Sequence, residues 1–285
     1  MKRFIVLLGV AGVSVSAVLV RWSTAPSLIL VLYRMLLVSV LMAPVVLLRC
    51  RAEFRRLSRR DMLLCLTSGL FLGIHFTAYF TSLRYTSIAS SEVLVDTEVF
   101  FVALGSVLLW KQHLSHRAWL AIVLTFCGSV TVALADTSAA GSSAALGDLL
   151  ALAGAGAMAV YTMIGAVCRK RISTTVYTFL VYISAAVTVL VIALLKGLPL
   201  VGYGAVNWLT ALGLAVFCTL LGHSVFSWGL KYLSPAFIST VKLLGPVFAA
   251  AWGLLLFHER IGLPMVLGGL LIIGGIALYN QVEAG

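Results

Sequence analysis

Long apolar segments alternate with short polar connections along the whole chain. A helix needs about 20 mostly apolar residues, at 1.5 Å rise each, to cross a hydrocarbon core of about 30 Å. Ten segments satisfy this requirement, which predicts an all-α integral membrane protein with ten transmembrane helices. The predicted helices are Phe4–Val20, Ser27–Leu48, Met62–Leu83, Ile88–Trp110, Arg117–Ala135, Gly147–Cys168, Thr174–Leu195, Asn207–Leu230, Pro235–Leu256 and Leu263–Tyr279.

The fourth of these segments breaks the apolar pattern, because it carries three acidic side chains, Glu92, Asp96 and Glu98. The whole chain has only nine acidic residues. Carboxylates at membrane depth cost about 3 kcal/mol each on insertion scales, so they mark a functional site or a buried partner.

The two halves of the chain resemble each other at a fixed offset of 147 residues. This shift aligns SLRYTS (82–87) with GLKYLS (229–234), FVAL (101–104) with FAAA (248–251) and LTFCG (124–128) with LIIGG (271–275). The predicted organisation is a first repeat over 1–136, a linker over 137–146 and a second repeat over 147–282. Five helices per repeat is an odd number, so the halves enter the membrane in opposite directions, as in secondary transporters whose binding sites lie near the midplane.

Composition agrees with a membrane protein, since 62% of the residues are apolar and 10% are charged. Of the 20 basic residues, 14 fall on one side of the predicted topology, six of them between Arg49 and Arg60. The positive-inside rule then predicts both termini in the cytoplasm of a multi-pass plasma (inner) membrane protein. The net charge of +11 is therefore explained by topology and by contact with membrane lipids, and nucleic-acid binding is not expected.

Depth separates the three acids of the fourth helix. Glu98 lies about 15 Å from the outer end of this helix, at the midplane, whereas Glu92 and Asp96 share a face nearer the outside. One interpretation is that a carboxylate contacts a cationic or zwitterionic substrate or takes up a proton. The other is a structural ion pair, for which Arg34 of the second helix has the right depth beside Glu92 or Asp96.

The ninth helix also carries a charge at depth, Lys242, four residues before Pro246. The proline ring removes the hydrogen bond to the Lys242 carbonyl, which predicts a kink that exposes backbone to a ligand. Alternatively, the kink is purely structural and Lys242 extends to the cytoplasmic headgroups.

Two histidines occupy equivalent helices, with Tyr79 four residues after His75 and Ser227 four residues after His223. Each histidine is a candidate proton site or substrate donor, or is satisfied by neighbouring hydroxyl groups.

Other candidates are aromatic side chains and glycines. The aromatic residues predicted to line an amphipathic cavity are Tyr33, Phe76, Tyr79 and Trp228. Gly268, Gly269, Gly274 and Gly275 of the last helix permit close packing, either inside the protein or in a homodimer.

The sequence resembles the EamA family of the drug/metabolite transporter superfamily. The run LGHSVFSWGLKYLSPAFISTVKLLGPVFAAAWGLLLFHERI (221–261) and its counterpart TAYFTSLRYTSIASSEVL (77–94) carry this resemblance. It implies ten helices in two EamA repeats, a plasma-membrane location and transport of small metabolites, often as efflux. Family members commonly carry Glu-Pro or Gln-Pro in the middle of the helix after the Tyr-Ser turn. Here the first half has Glu98-Val99, with the acid but not the proline, and the second half has Gly245-Pro246, with the proline but not the acid.

The leading hypothesis is a carrier for an amine-bearing small molecule, such as an amino acid or organic cation, with a cavity where helices 3, 4, 8 and 9 meet. Uptake or exchange of a phosphorylated or nucleotide/sugar-linked metabolite is the alternative. A membrane enzyme is a more distant one, because no paired nucleophile and base, metal cluster or phosphate loop is present in the sequence. No cofactor or metal is predicted.

Overall fold

A computed structural model describes residues 2–20, 22–86, 88–134, 144–258 and 262–284. Within these residues the regular structure is entirely helical, without strands. Nine segments are long and apolar enough to cross a membrane, and the shorter apolar segment His116–Val132 supplies a tenth. The predicted fold class, an all-α membrane protein of ten transmembrane helices, is therefore confirmed.

We call these segments spans 1 to 10. Span 1 consists of Lys2–Ser14 and Ser16–Val20, span 2 of Ser27–Arg49, span 3 of Arg59–Ser82, span 4 of Ile88–Asp96 and Glu98–Trp110, span 5 of His116–Leu134, span 6 of Ala144–Cys168, span 7 of Thr174–Leu195, span 8 of Ala205–Gly213, Leu214–His223 and Ser224–Gly229, span 9 of Pro235–Lys242 and Gly245–Phe257, and span 10 of Leu263–Ala284.

The contacts between spans have the symmetry that an inverted repeat requires. Span 3 packs against spans 6 and 7, and its counterpart span 8 packs against spans 1 and 2. Span 4 likewise contacts span 6, and span 9 contacts span 1. Spans 2 and 7, 4 and 9, and 5 and 10 pair with their own counterparts across the pseudo-twofold axis.

Two local features of the helices were not predicted. The middle of span 8, Leu214–His223, is a π-helix, a form that is frequent at functional sites. The basic connection predicted as a loop between spans 2 and 3 contains a helix, Arg51–Arg56. Apolar periodicity does not reveal either feature, since it reports which residues are buried and not the local hydrogen-bond register.

Serine side chains begin three spans at the face of the protein that carries the chain termini. Ser58 accepts a hydrogen bond from the Asp61 backbone N–H (3.0 Å), and Ser173 and Ser234 cap spans 7 and 9 in the same way. Such caps satisfy N–H groups that a helix leaves without internal partners.

Spans 5 and 10 approach closely through glycine. A Cβ atom on Gly268 would lie 2.8 Å from the Gly128 carbonyl oxygen, and one on Gly275 would lie 2.1 Å from Thr125 Oγ1. These two glycines therefore serve internal packing, whereas a Cβ on Gly274 would have no neighbour within 4 Å.

The predicted linker falls largely on residues 135–143, which lie outside the described residues. Two of the basic residues counted for the predicted topology, Arg21 and Arg260, also lie outside them.

Candidate functional site

Spans 4 and 9 are both interrupted near the middle of the membrane. In span 4 the helix ends at Asp96 and a new one begins at Glu98, and in span 9 the interruption lies between Lys242 and Gly245. The 147-residue shift brings Thr97 onto Leu244, so the two interruptions are equivalent. Pro246 directly follows the second one, where its missing N–H leaves no additional donor unsatisfied.

Glu98 and Lys242 meet at these interruptions. Lys242 Nζ lies 3.0 Å from Glu98 Oε1 and 3.2 Å from Oε2. Thr162 Oγ1 and Ser239 Oγ also donate to Glu98 Oε1, at 2.9 and 3.0 Å. Lys242 therefore does not extend to the headgroups, and the pair is compensated both in charge and in hydrogen bonds, as a buried ion pair requires.

Glu92 and Asp96 have different partners from those predicted. The Tyr79 hydroxyl donates to Glu92, and the Ser129 hydroxyl donates to Asp96. Among the described residues, no cation forms an ion pair with either carboxyl group. Each of these two carboxyl groups therefore accepts a hydrogen bond from a neutral hydroxyl group, and both can still bind a positively charged group.

The predicted ion pair between Arg34 and Glu92 or Asp96 is wrong. Arg34 Nε donates instead to Thr219 Oγ1 at 2.6 Å, and its guanidinium carbon lies 4.8 Å from the centre of the Phe76 ring. The physical reason is that span 2 packs against spans 7 and 8 and not against span 4. A similar predicted depth in the membrane does not fix the direction in which a side chain points.

The two histidines lie on equivalent spans but differ in their hydrogen bonds. His75 Nδ1 donates to the Gly154 carbonyl at 3.0 Å, and its ring lies parallel to that of Tyr79 with centroids 6.3 Å apart. Ser227 shares a hydrogen bond with the Tyr161 hydroxyl (3.1 Å) and not with His223. The Nδ1 atom of His223 has no hydrogen-bond partner in the described part of the chain.

Tyr33 and Trp228 do not reach the cavity described below, which corrects the prediction for both. The Tyr33 hydroxyl donates to the Leu200 carbonyl at 2.6 Å, and its ring stacks on Trp208 at 3.8 Å. The Trp228 ring contacts Tyr232 near the end of span 8. Phe76 and Tyr79, by contrast, are among the lining residues.

A cavity of about 410 Å³ brings the remaining candidates together. It extends beyond the predicted spans 3, 4, 8 and 9, with additional walls from spans 1, 2, 5, 6 and 10. Its titratable or charged lining residues are Arg34, His75, Tyr79, Glu92, Asp96, Glu98, His223 and Lys242, and its apolar lining includes Val13, Leu30, Phe76, Val95, Met158 and Phe226.

The lining of the cavity extends from the middle of the spans towards one face of the protein. It reaches Val20 and Met265, near the ends of spans 1 and 10 that are remote from the chain termini. At the opposite face Arg3 Nη1 donates to the Asn280 carbonyl (2.9 Å), and Arg169 Nε donates to the Ser227 carbonyl (2.9 Å). The cavity therefore lies towards the face opposite the termini, while the described contacts close the face that carries them.

The sequence analysis did not identify the hydroxyl groups that complete the site. Thr162, Ser239 and Ser129 donate to the acids, and Thr219 accepts from Arg34. Ser239 alone had a recognisable signal, since it precedes Lys242 by three residues and therefore shares its helix face. The others depend on packing between spans.

Two inverted five-helix repeats around a charged, one-sided cavity define a multi-pass membrane protein of the secondary-transporter class. The family model of the EamA-like transporter family matches residues 3–134 and 145–281, and the chain belongs to this family.

Named relatives agree with this assignment. The chain is 25% identical to an uncharacterized transporter of Archaeoglobus fulgidus over 72% of this chain and 71% of that protein. It is 25% identical to the pseudopaline exporter CntI of Pseudomonas aeruginosa over 80% of this chain and 78% of that protein. One solved crystal structure has the same fold, with a TM-score of 0.85 and 17% identity over 99% of this chain and 97% of the other.

Proposed function

We propose that this transporter exports an amine-bearing small metabolite, an amino acid or a related organic cation, across the plasma membrane by alternating access. The observation that carries the proposal is the pair of carboxyl groups, Glu92 and Asp96, which line the cavity and hold only neutral donors. A bound ammonium group supplies the missing positive charge. The volume of about 410 Å³ suits a small metabolite, and the apolar walls accommodate its side chain.

The balance of charge in the cavity favours a cation over an anion. Three carboxyl groups (Glu92, Asp96 and Glu98) line it against two basic groups (Arg34 and Lys242), which leaves a formal charge of −1. Lys242 is already engaged by Glu98. A phosphorylated or nucleotide-linked metabolite requires several free basic groups, so this alternative ranks second.

Alternating access is supported by the positions of the two helix interruptions. Glu98 and Lys242 join spans 4 and 9 at the base of the cavity, between the site and the closed face. Rearrangement of Glu98–Trp110 of span 4 and Pro235–Lys242 of span 9 opens the closed face, while Ile88–Asp96 and Gly245–Phe257 close the other one, as the pseudo-twofold axis requires. The Glu98–Lys242 pair is in our proposal the contact that changes during this exchange.

The direction of transport rests on orientation and on one relative. The distribution of Lys and Arg favours cytoplasmic termini, so the cavity opens to the outside in the described state. A carrier in this state is ready to release an exported substrate. One relative is named as an exporter of pseudopaline, which supports the same direction here.

Counterflow in proteoliposomes tests the proposal. Purified protein is reconstituted with a panel of unlabelled amines and amino acids inside, and entry of the same labelled compound is measured. We expect saturable counterflow for amine-bearing compounds, reduced at least about tenfold in Glu92→Gln and Asp96→Asn because each change removes a charge-assisted contact. Glu53→Gln is the matched control, because Glu53 lies outside the cavity, where it accepts a hydrogen bond from the Ser173 backbone N–H.

Two results would contradict the proposal. Counterflow confined to phosphorylated compounds would establish the anion alternative. Current that rises linearly with voltage and does not saturate with substrate would exclude a carrier.

A further inference from the structure

Two buried polar atoms in the cavity have no hydrogen-bond partner within the described residues, Arg34 Nη2 and His223 Nδ1. Arg34 is only 4% exposed and His223 only 6%, and both residues line the cavity. Buried donors without partners cost about 1–3 kcal/mol each, and more when charged. Neither group is used by the amine site at Glu92 and Asp96.

The two groups are held beside each other by shared neighbours. The Arg34 guanidinium carbon lies 4.8 Å from the centre of the Phe76 ring, and the His223 ring lies 5.6 Å from the same ring. Arg34 Nε is anchored to Thr219 Oγ1, one turn before His223 in the π-helix of span 8. Arg34 Nη2 and His223 Nδ1 therefore belong to one wall of the cavity.

The chemistry of this wall selects an anion. A guanidinium group stays protonated in proteins, so burial does not neutralise Arg34. Its Nε–H is already used, which leaves the Nη2 edge for a ligand, and His223 adds a second donor when Nδ1 carries the proton. A carboxylate matches this arrangement, because its two oxygens accept from two neighbouring donors while it compensates the buried positive charge.

We propose that Arg34 and His223 form a second subsite that binds the carboxylate of the substrate, while Glu92 and Asp96 bind its amine. This inference rests on the proposed function and narrows the substrate to amino carboxylates. The two subsites adjoin the same helix, since Phe76 of span 3 contacts Arg34 and Tyr79, three residues later, donates to Glu92. Three residues correspond to about 4.5 Å along the helix axis, so neighbouring parts of span 3 support the two subsites.

Matched pairs of ligands test this subsite on the full-length purified protein. Binding of each standard amino acid is compared with binding of its α-carboxamide, which keeps the amine and the side chain but loses the negative charge. We expect the amino acids that bind to lose about 10- to 100-fold in affinity on conversion to the amide, as for a charged hydrogen bond. Equal affinities of acid and amide would overturn the subsite and leave the proposed function intact. Binding of neither set would also overturn the subsite, and absence of counterflow for the whole panel of amines and amino acids would contradict the proposed function itself.

Substitution of Arg34 separates binding from folding. In Arg34→Gln we expect the preference for acid over amide to disappear while amide affinity stays within about twofold, and in Arg34→Lys part of the preference returns. Arg84→Gln, at an exposed turn outside the cavity, is the matched control and keeps the preference. A purely structural role for Arg34 predicts equal losses for acids and amides, which would contradict the subsite. Because the acid–amide comparison is made on the unaltered protein, the test does not depend on the folding of the variants.

Discussion

Glu98 and Lys242 form an ion pair across the junction of the two repeats, with Nζ 3.0 Å from Oε1. Lys242 ends one helix segment inside the membrane and Glu98 begins another, so the pair joins the ends of two helix segments. Thr162 and Ser239 complete the hydrogen bonding of the carboxylate. The ion pair and the Ser239 hydrogen bond thus connect the two interrupted spans at their interruptions.

Breaking this pair is expected to harm the fold and transport in different ways. Glu98→Gln leaves the Lys242 charge uncompensated, which costs about 3–5 kcal/mol for a buried pair. Glu98→Gln combined with Lys242→Met removes both charges and recovers most of the melting temperature, but we expect transport to remain absent. Thermal unfolding in detergent and counterflow in liposomes measure the two effects. If the single and double variants were equally unstable, the pair would not be a stabilising contact.

A second prediction compares two tyrosines, Tyr79 in the cavity lining and Tyr33 outside it. Tyr79→Phe removes the donor that orients Glu92, so we expect the apparent affinity for an amine to fall by about tenfold. Tyr33→Phe removes a hydroxyl that bonds the Leu200 carbonyl away from the cavity, so transport is expected to stay unchanged. Concentration dependence of counterflow measures both. A loss in Tyr33→Phe as large as that in Tyr79→Phe would place the site elsewhere.

The apolar pattern predicted the ten spans well, because the length of a membrane helix and its apolar composition are fixed by the bilayer. The inverted repeat followed from the offset and from an odd number of helices. Breaks inside spans were harder to predict. Pro246 indicated the one in span 9, but the equivalent break at Thr97 has no proline beside it.

Pairing between side chains was the weakest part of the prediction. Glu98 was singled out because its depth is read directly from sequence position. Lys242 was singled out as well, but its pairing with Glu98 was not predicted, since contact across two helices depends on how each helix is rotated. Arg34 shows the same limit, because its predicted depth indicated an acid on span 4 as its neighbour, whereas its side chain donates to Thr219.

Close packing of spans 5 and 10 gives a prediction about stability. A methyl group on Gly275 would collide with Thr125 Oγ1 at 2.1 Å and its backbone N at 2.8 Å, whereas Gly274 has no neighbour within 4 Å. We expect Gly275→Ala to destabilise the protein by about 1–3 kcal/mol, as overpacking does. Gly274→Ala is the adjacent control and should leave the melting temperature unchanged. Equal effects at both positions would mean that the two spans do not pack through Gly275.

Membrane orientation can be tested at two exposed lysines on opposite faces. Lys196 follows span 7, and Lys231 follows span 8 on the face that carries the termini. The five native cysteines are first replaced, and a single cysteine is then introduced at either position. Because Lys and Arg concentrate on the terminal face, we expect a membrane-impermeant maleimide to label Lys196→Cys in intact cells and Lys231→Cys only after the cells are opened.

The same labelling experiment decides which compartment the cavity faces. The cavity reaches Val20 and Met265 at the same face of the protein as Lys196, so external labelling of Lys196→Cys assigns this face to the outside. The described state is then the one that releases an exported substrate. Labelling of Lys231→Cys alone in intact cells would reverse the orientation. The described state would in that case open to the cytoplasm and represent the loading step of the exporter, with the same residues forming the site.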